Sequence, residues 1–156
     1  MPSISLCIIV KDEEKFLEKA LNSVKSMVDE IIIVDTGSKD NTKCIAGKFT
    51  KKIYDFKWKH DFAAARNFSI KKATKGWILI LDADEMISKK DLKKVKSLVE
   101  NNEKGIMGHS FIQRTYSNKK IARNGIPQQM THMPKVKISR AGLTAASRGF
   151  SKTAKE

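Results

Sequence analysis

Asp82-Ala83-Asp84-Glu85 sets three carboxylates directly after Trp77-Ile78-Leu79-Ile80-Leu81, an apolar run with the make-up of a buried strand. Side chains alternate along an extended chain, so Asp82 and Asp84 turn to the same side. Two hard oxygen donors placed this way suit Mg²⁺ or Mn²⁺, which complete their shells with water and substrate phosphate oxygens. A cation held there neutralises a diphosphate leaving group. The same triplet also serves as a solvated turn or a helix cap, with Asp84 or Glu85 favouring the N-terminus of the next helix. The buried run before it moves the balance toward metal binding.

Two further segments carry polar groups at comparable places. Asp35 closes the run Glu30-Ile31-Ile32-Ile33-Val34-Asp35 and can accept hydrogen bonds from a base or ribose. An Asx-type turn with Gly37 or Ser38 explains it equally well. Arg66 and Asn67 follow Ala63, Ala64 and Ala65, small residues that let a neighbour come close. The planar fork of Arg66 suits phosphate, the alternative being a surface arginine. His60, His109 and His132 share no metal-ligand spacing and read as structural or exposed, and Trp58 and Trp77 read as packing residues. Cys7 and Cys44 fit neither a metal motif nor a disulfide framework and read as reduced bystanders.

The elements that position these groups follow from hydrophobic periodicity. Ile4 to Val10 and Glu30 to Asp35 are near-continuous apolar, β-branched runs, the pattern of parallel strands covered on both faces. Between them Phe16, Leu17, Ala20, Leu21 and Val24 recur at helical spacing, which gives a βαβ unit. Thr36 to Thr42 is a turn-rich loop before a short helix around Cys44 to Phe49. Ile53 to Phe56 forms a short strand, and Asp61 caps a helix from Phe62 to about Ala73. Ser88 caps another helix, with Leu92, Val95, Leu98 and Val99 as its apolar stripe. Ser110 to Tyr116 and Lys135 to Ile138 read as strands, Ser117 to Pro134 as a polar loop, and Ala141 to Glu156 has little periodicity. Strands alternating with helices give an α/β fold, whose ligands bind in crevices at strand carboxyl ends. Asp12, Asp35 and Asp82 all follow such ends.

The 156 residues suit one domain with one packed core. No apolar run approaches the length of a membrane span and no signal peptide is recognisable, so a cytoplasmic protein is expected. The formal charge of +14 is uneven: Gly105 to Glu156 holds ten Lys or Arg against one acidic residue. Such a balance suits phosphorylated substrates, an anionic membrane surface or nucleic acid. Nucleic acid ranks last, because no recognition motif is present and aromatics do not interleave with the basic cluster.

Four ordered segments, Ile8-Ile9-Val10-Lys11-Asp12-Glu13-Glu14, Val34-Asp35-Thr36-Gly37-Ser38-Lys39-Asp40-Asn41-Thr42, Asp61-Phe62-Ala63-Ala64-Ala65-Arg66-Asn67 and Leu81-Asp82-Ala83-Asp84-Glu85, together resemble family 2 glycosyltransferases, particularly those with a DFAAARN-like segment. The resemblance implies a GT-A-like, Rossmann-like α/β fold, a mostly parallel sheet with helices on both faces. It implies that Val10, Asp12 and Glu14 line a nucleotide-sugar pocket and that Asp35 contacts base or ribose. Arg66 would lie near the nucleotide or diphosphate, and Asp82, Ala83 and Asp84 would form the DXD motif, with Asp82 and Asp84 as ligands to Mg²⁺ or Mn²⁺. The implied reaction transfers a sugar from a nucleoside-diphosphate sugar, with UDP the expected nucleotide, to a saccharide or lipid-linked acceptor of a cell-surface glycan, with inversion. Peripheral contact at the inner face of the membrane would accompany a lipid-linked acceptor.

On this reading residues 1–104 are the nucleotide-sugar-binding core and 105–156 an incomplete, basic acceptor-side segment of the same domain. An inverting transfer needs a carboxylate base. Gly105 to Lys155 contains no Asp or Glu, which leaves only Glu156 as a weak candidate. Truncation, a disrupted reading frame, or a base supplied from elsewhere would account for this, and the alternative function is nucleotide-sugar binding without turnover. A nucleotidyltransferase is the nearest other enzyme, but Lys11-Asp12-Glu13-Glu14 is a poor substitute for its Gly-rich phosphate loop.

Overall fold

The computed structural model describes residues 3–101, 108–112 and 134–140. Its elements run β1 (Ile4–Val10), α1 (Leu17–Val24), β2 (Glu30–Asp35), α2 (Thr42–Gly47), β3 (Ile53–Asp55), α3 (Phe62–Lys71), β4 (Trp77–Ile80), α4 (Lys89–Glu100), β5 (Gly108–Ile112) and β6 (Pro134–Arg140). They build one six-stranded sheet in the order β3-β2-β1-β4-β6-β5. β1, β2, β3 and β4 are mutually parallel, whereas β6 is antiparallel to both β4 and β5. β5 therefore points the same way as β1 to β4, and β6 alone is reversed. The expected mostly parallel α/β sheet is observed.

Alternation along each strand divides the core in two. Ile4, Leu6, Ile8 and Val10 of β1 join Trp77 and Leu79 of β4 and Ile138 of β6 on one face, where they meet Leu17, Leu21 and Val24 of α1, Ala46 of α2, and Val95 and Val99 of α4. Cys7, Ile32 and Ile78 point to the other face and pack with Ile70 and Ala73, from α3 and the turn after it. Each fully buried leucine or isoleucine here contributes roughly 1.5–3 kcal/mol relative to an exposed one. Two-sided burial explains why these strands read as continuous apolar runs.

The chain leaves β1 toward β2 and β3, then crosses by α3 to β4 on the other side of β1. The crevice between the carboxyl ends of β1 and β4 is thus a topological switch point, where open α/β sheets bind ligands.

At the opposite, amino end of the strands lies a polar hub that the apolar patterning did not reveal. Glu30 is 6% exposed. Its carboxylate accepts hydrogen bonds from Ser5 Oγ and Lys52 Nζ, and from Thr74 N and Thr74 Oγ1, both at 2.9 Å. Ser5 Oγ in turn accepts from Lys75 N at 3.2 Å. Burial opposes the charge, but the bonds from Lys52, Ser5 and Thr74 outweigh it and hold the carboxyl at about 2. The hub ties β1, β2 and the turn before β4 together.

Several boundaries depart from expectation. α3 ends at Lys71 rather than near Ala73, because Lys72 N and Ala73 N bond the carbonyls three residues back and tighten the last turn. The same tightening ends α2 at Gly47, with Lys48 N and Phe49 N bonded to Ile45 O and Ala46 O. Phe16 does not join the α1 stripe: it precedes the helix, its N–H is taken by Glu13 O, and its side chain is 51% exposed. In α4, Leu92 is partly buried and Leu98 is exposed, so Val95 and Val99 carry the contact. β5 begins at Gly108, two residues earlier than expected, and β6 extends to both sides of the expected span. Residues 113–133 and 141–156 lie outside the described residues, and with them the expected loop, His132, the terminal segment and Glu156.

Candidate functional site

Two loops at the switch point are laced to each other. After β1, Asp12 adopts left-handed backbone geometry at φ 54°, a conformation aspartate tolerates better than most residues. Asp12 N donates to Ser38 Oγ at 2.9 Å and Asp12 Oδ1 accepts from Lys39 N at 2.7 Å. Glu13 N donates to Thr42 Oγ1 at 2.7 Å and Glu14 N to Asp40 Oδ2 at 3.1 Å, while Glu14 Oε2 accepts from Asn41 N and Asn41 Nδ2. Val10 O accepts from Thr36 N and from Thr36 Oγ1. The segment from Val10 to Glu14 and the segment from Thr36 to Thr42 thus form one rigid wall. Single residues such as Ser38, Asp40 and Thr42 turn out to be its fasteners; in the sequence only their turn-forming character was visible.

Asp35, fully buried, performs the Asx turn. Its Oδ1 accepts from Gly37 N at 2.6 Å and Ser38 N at 2.8 Å, around the positive φ of Gly37. Its Oδ2 has no hydrogen-bond partner among the described residues. The turn and a ligand contact are therefore not exclusive, since they concern different oxygens. An unsatisfied buried acceptor is costly, and such atoms mark where a missing donor fits.

The third wall follows β4. Glu85 N donates to Asp82 O at 3.0 Å and Asp82 N to Glu85 Oε2 at 2.9 Å, closing a tight turn. Strand alternation does not continue through Asp84 as expected, because this turn intervenes. Both aspartates still act on one neighbour: the carboxyl of Glu13 is raised, by its burial first and then by the charges of Asp84, Asp40, Asp12 and Asp82. Asp84 is exposed and makes no hydrogen bond or ion pair among the described residues. Among those residues no three His, Cys, Asp or Glu side chains form a group able to hold a metal by themselves.

Arg66 reaches this wall from α3. Asp61 starts that helix by accepting from Ala64 N at 2.9 Å, and Ala65, fully buried, brings the helix close under the sheet. Arg66 Nη2 donates to Asp82 Oδ1, and Arg66 Nη1 is buried without a hydrogen-bond partner among the described residues. The surface alternative for Arg66 is thereby set aside, as its side chain is 22% exposed and aimed at Asp82. The structure brings together Val10, Asp12, Glu14 and Asp35 on one side and Arg66, Asp82, Ala83 and Asp84 on the other.

The remaining candidates take structural places. Trp77 is in the core and stacks on His109, with ring centroids 6.4 Å apart, and Trp58 meets Phe62 edge-to-face at 4.7 Å. Cys7 is buried and burial pushes its thiol up to about 12, which leaves it unreactive, while Cys44 is free and exposed. Of the four exposed large hydrophobics among the described residues, Phe16, Phe62 and Met86 lie on the loops or helix start at the carboxyl rim. A groove of about 710 Å³ is at the other end of the sheet and is lined by Lys25, Glu30, Phe49 and Lys52 among others. It holds none of the convergent loop chemistry.

A mostly parallel sheet with polar loops converging on its switch point is the α/β architecture in which ligands lie at the strand carboxyl ends. The family model of Glycosyl transferase family 2 matches residues 5–155, and the chain belongs to that family. It is 45% identical over 103 residues to a TPR repeat-containing protein of Synechococcus elongatus, covering 66% of this chain and 26% of that one. It is 44% identical over 98 residues to the SPbeta prophage-derived glycosyltransferase SunS of Bacillus subtilis, covering 60% of this chain and 23% of SunS. Among solved structures, S. aureus TarS in complex with UDP-GlcNAc is similar with a TM-score of 0.62 at 20% identity, covering 89% of this chain and 45% of that one. Mycobacterium tuberculosis glucosyl-3-phosphoglycerate synthase with Mn²⁺ and UDP-glucose gives 0.58 at 18% identity, covering 69% and 42%. These likenesses establish the GT-A-like fold. The chain spans about a quarter of the curated relatives and less than half of the solved chains.

Proposed function

We propose that this chain is the donor-binding part of a family 2 glycosyltransferase, holding a nucleoside-diphosphate sugar, with UDP as nucleotide, across the carboxyl ends of β1, β2 and β4. The observation that carries this reading is the pair of buried groups Asp35 Oδ2, after β2, and Arg66 Nη1, on α3, which have no hydrogen-bond partner among the described residues. One is an acceptor suited to a base or ribose donor, the other a cationic donor suited to phosphate. In support, relatives with this fold bind UDP, UDP-glucose or UDP-GlcNAc. Val10, Asp12 and Glu14 would wall the nucleotide through the laced loops.

The donor set fits Mg²⁺ or Mn²⁺: Asp84 is an exposed hard carboxylate without a hydrogen-bond or ion-pair partner among the described residues and Asp82 a second, too few to enclose an ion without water and phosphate oxygens. A divalent cation bound there supplies Lewis-acid neutralisation of the diphosphate leaving group. In the inverting reaction the acceptor oxygen bonds to the anomeric carbon as the bond to the diphosphate breaks, and a carboxylate takes the hydroxyl proton. Residues 1–104 would serve the donor, and 105–156, with their +9 balance, a saccharide or lipid-linked acceptor, the latter with peripheral contact at the membrane surface. No helix among the described residues is long and apolar enough to cross a membrane. Binding without turnover is the second reading, favoured by the carboxylate-free stretch from Gly105 to Lys155.

Calorimetric titration of the chain with UDP tests the reading. UDP is expected to bind at least about ten-fold more tightly in Mn²⁺ than in EDTA, a difference of roughly 1.4 kcal/mol. A folded chain that binds no nucleoside diphosphate under either condition would overturn it.

A further inference from the structure

The lysines of α4 run against the local physics of the helix that carries them. Lys89 and Lys90 open it, where the positive end of the helix dipole favours carboxylates, and its last turn holds no basic residue. Lys89 with Lys93, and Lys90 with Lys94, set like charges four residues apart, a spacing that weakens a helix. Lys94 and Lys96 pair with Asp91 and Glu100 at 3.6 and 3.9 Å, whereas Lys89, Lys90 and Lys93 form no ion pair among the described residues. All five lysines are exposed, while Val95 and Val99 turn into the core. Folding does not account for such a face, and an anionic partner does.

Exposed apolar side chains border this face at the carboxyl rim. Ile87 N donates to Ser23 Oγ at 3.2 Å, which sets the start of α4 against α1. Met86, 65% exposed, directly precedes that contact, and the exposed Lys19 and Phe16 lie on the rim side of Ser23, four and seven residues before it. We propose that the outer face of α4, with Met86 and Phe16 at its rim end, docks on an anionic membrane surface. The lysines lie against the headgroups, whose dense negative charge attracts each of them. The two apolar side chains enter the boundary between headgroups and acyl chains. A nucleic-acid backbone offers the same charge but no apolar layer for Met86 and Phe16, and lysine lacks the guanidinium fork that grips a single phosphate. The switch-point crevice opens at this same rim, so docking brings it to the lipid headgroups. The inference rests on the membrane contact of the reading above and assigns it to a helix outside residues 105–156. It needs no nucleotide, so it can fail while UDP binding stands, and the reverse.

Co-sedimentation of the full chain with vesicles tests it, using phosphatidylcholine alone or equal parts of phosphatidylcholine and phosphatidylglycerol, at low and high salt. The unmodified chain is expected to bind the phosphatidylglycerol vesicles only, and less at high salt. Combining Lys89→Gln, Lys90→Gln and Lys93→Gln is expected to weaken that binding on the order of a hundred-fold. The urea midpoint of this variant should not fall, because the changes relieve like-charge neighbours. A charge-matched control, Lys51→Gln, Lys71→Gln and Lys75→Gln at the amino end of the sheet, should cost less than about five-fold. Met86→Ser should weaken binding about five-fold and, unlike the lysine changes, equally at high salt. Equal losses in the two triple variants would reduce the effect to net charge and overturn the proposal. Binding that is absent, or indifferent to phosphatidylglycerol, would overturn it too. Displacement from the vesicles by mixed-sequence DNA at equal phosphate concentration, abolished in the α4 variant, would assign the face to nucleic acid and overturn it as well.

Discussion

In Mn²⁺, a chain carrying Asp82→Asn and Asp84→Asn is expected to bind UDP about ten-fold more weakly than the unmodified chain, a loss of roughly 1.4 kcal/mol. The substitutions are chosen to leave the fold in place. Asp84 is exposed and has no hydrogen-bond partner among the described residues, so its replacement removes charge and little else. Asparagine at 82 keeps an oxygen for Arg66 and leaves the backbone bonds to Glu85 untouched. What disappears is the pair of charged oxygen donors on which a cation bridging to the diphosphate depends. Calorimetry beside the unmodified chain in EDTA gives the internal standard, because the variant in Mn²⁺ should fall to that level. A variant that keeps full affinity in Mn²⁺ would show that this pair holds no cation.

The second large effect concerns stability. Glu30→Ala is expected to lower the free energy of unfolding by about 3 kcal/mol, the low end of the cost of breaking a buried charged pair. The low end applies because Lys52, which is half exposed, can turn to water once its partner is gone. Ser5 Oγ, fully buried, and Thr74 N lose an ionised acceptor, which is where the cost arises. Urea unfolding followed by the fluorescence of Trp77 measures it. The pH dependence has a fixed sign: the folded carboxyl, held at about 2, lies below its ordinary value of 4.5, so its stabilisation is complete above that value and is lost as pH falls between 4.5 and about 2. Glu30→Gln should flatten this acid limb. A variant with unchanged urea midpoint and acid limb would mean that the hub contributes nothing net.

Much of this was legible in the sequence, for physical reasons that differ by element. β1, β2 and β4 announced themselves because strands buried on both faces need apolar residues at every position. The start of α3 was legible because Asp61 is a local cap, and its bond to Ala64 N involves only neighbours in the chain. The candidate site was legible as separate segments, since each one follows a strand and the fold gathers strand ends.

What joins those segments was not legible. The bond from Arg66 to Asp82 spans sixteen residues and depends on where α3 crosses beneath the sheet. The lacing of Glu14 to Asn41 depends equally on the pairing of β1 with β2. Insertion of β6 between β4 and β5 is a non-local pairing that no periodicity encodes. The Glu30 hub had a faint signal: Ser5 interrupts one apolar run and Glu30 opens the other, and the parallel register places them opposite each other. Only that register turns two irregularities into a partnership.

The most direct test of the donor-site account is a map of nucleotide contact on the amide spectrum of the isotopically labelled chain, titrated with UDP in the presence of Mg²⁺. The account predicts shifts concentrated in Val10 to Glu14, Asp35 to Asn41, Arg66 and Leu81 to Glu85, with Lys25, Phe49 and Lys52 of the large groove unmoved. Shifts confined to that groove, or none at all at saturating UDP, would contradict it.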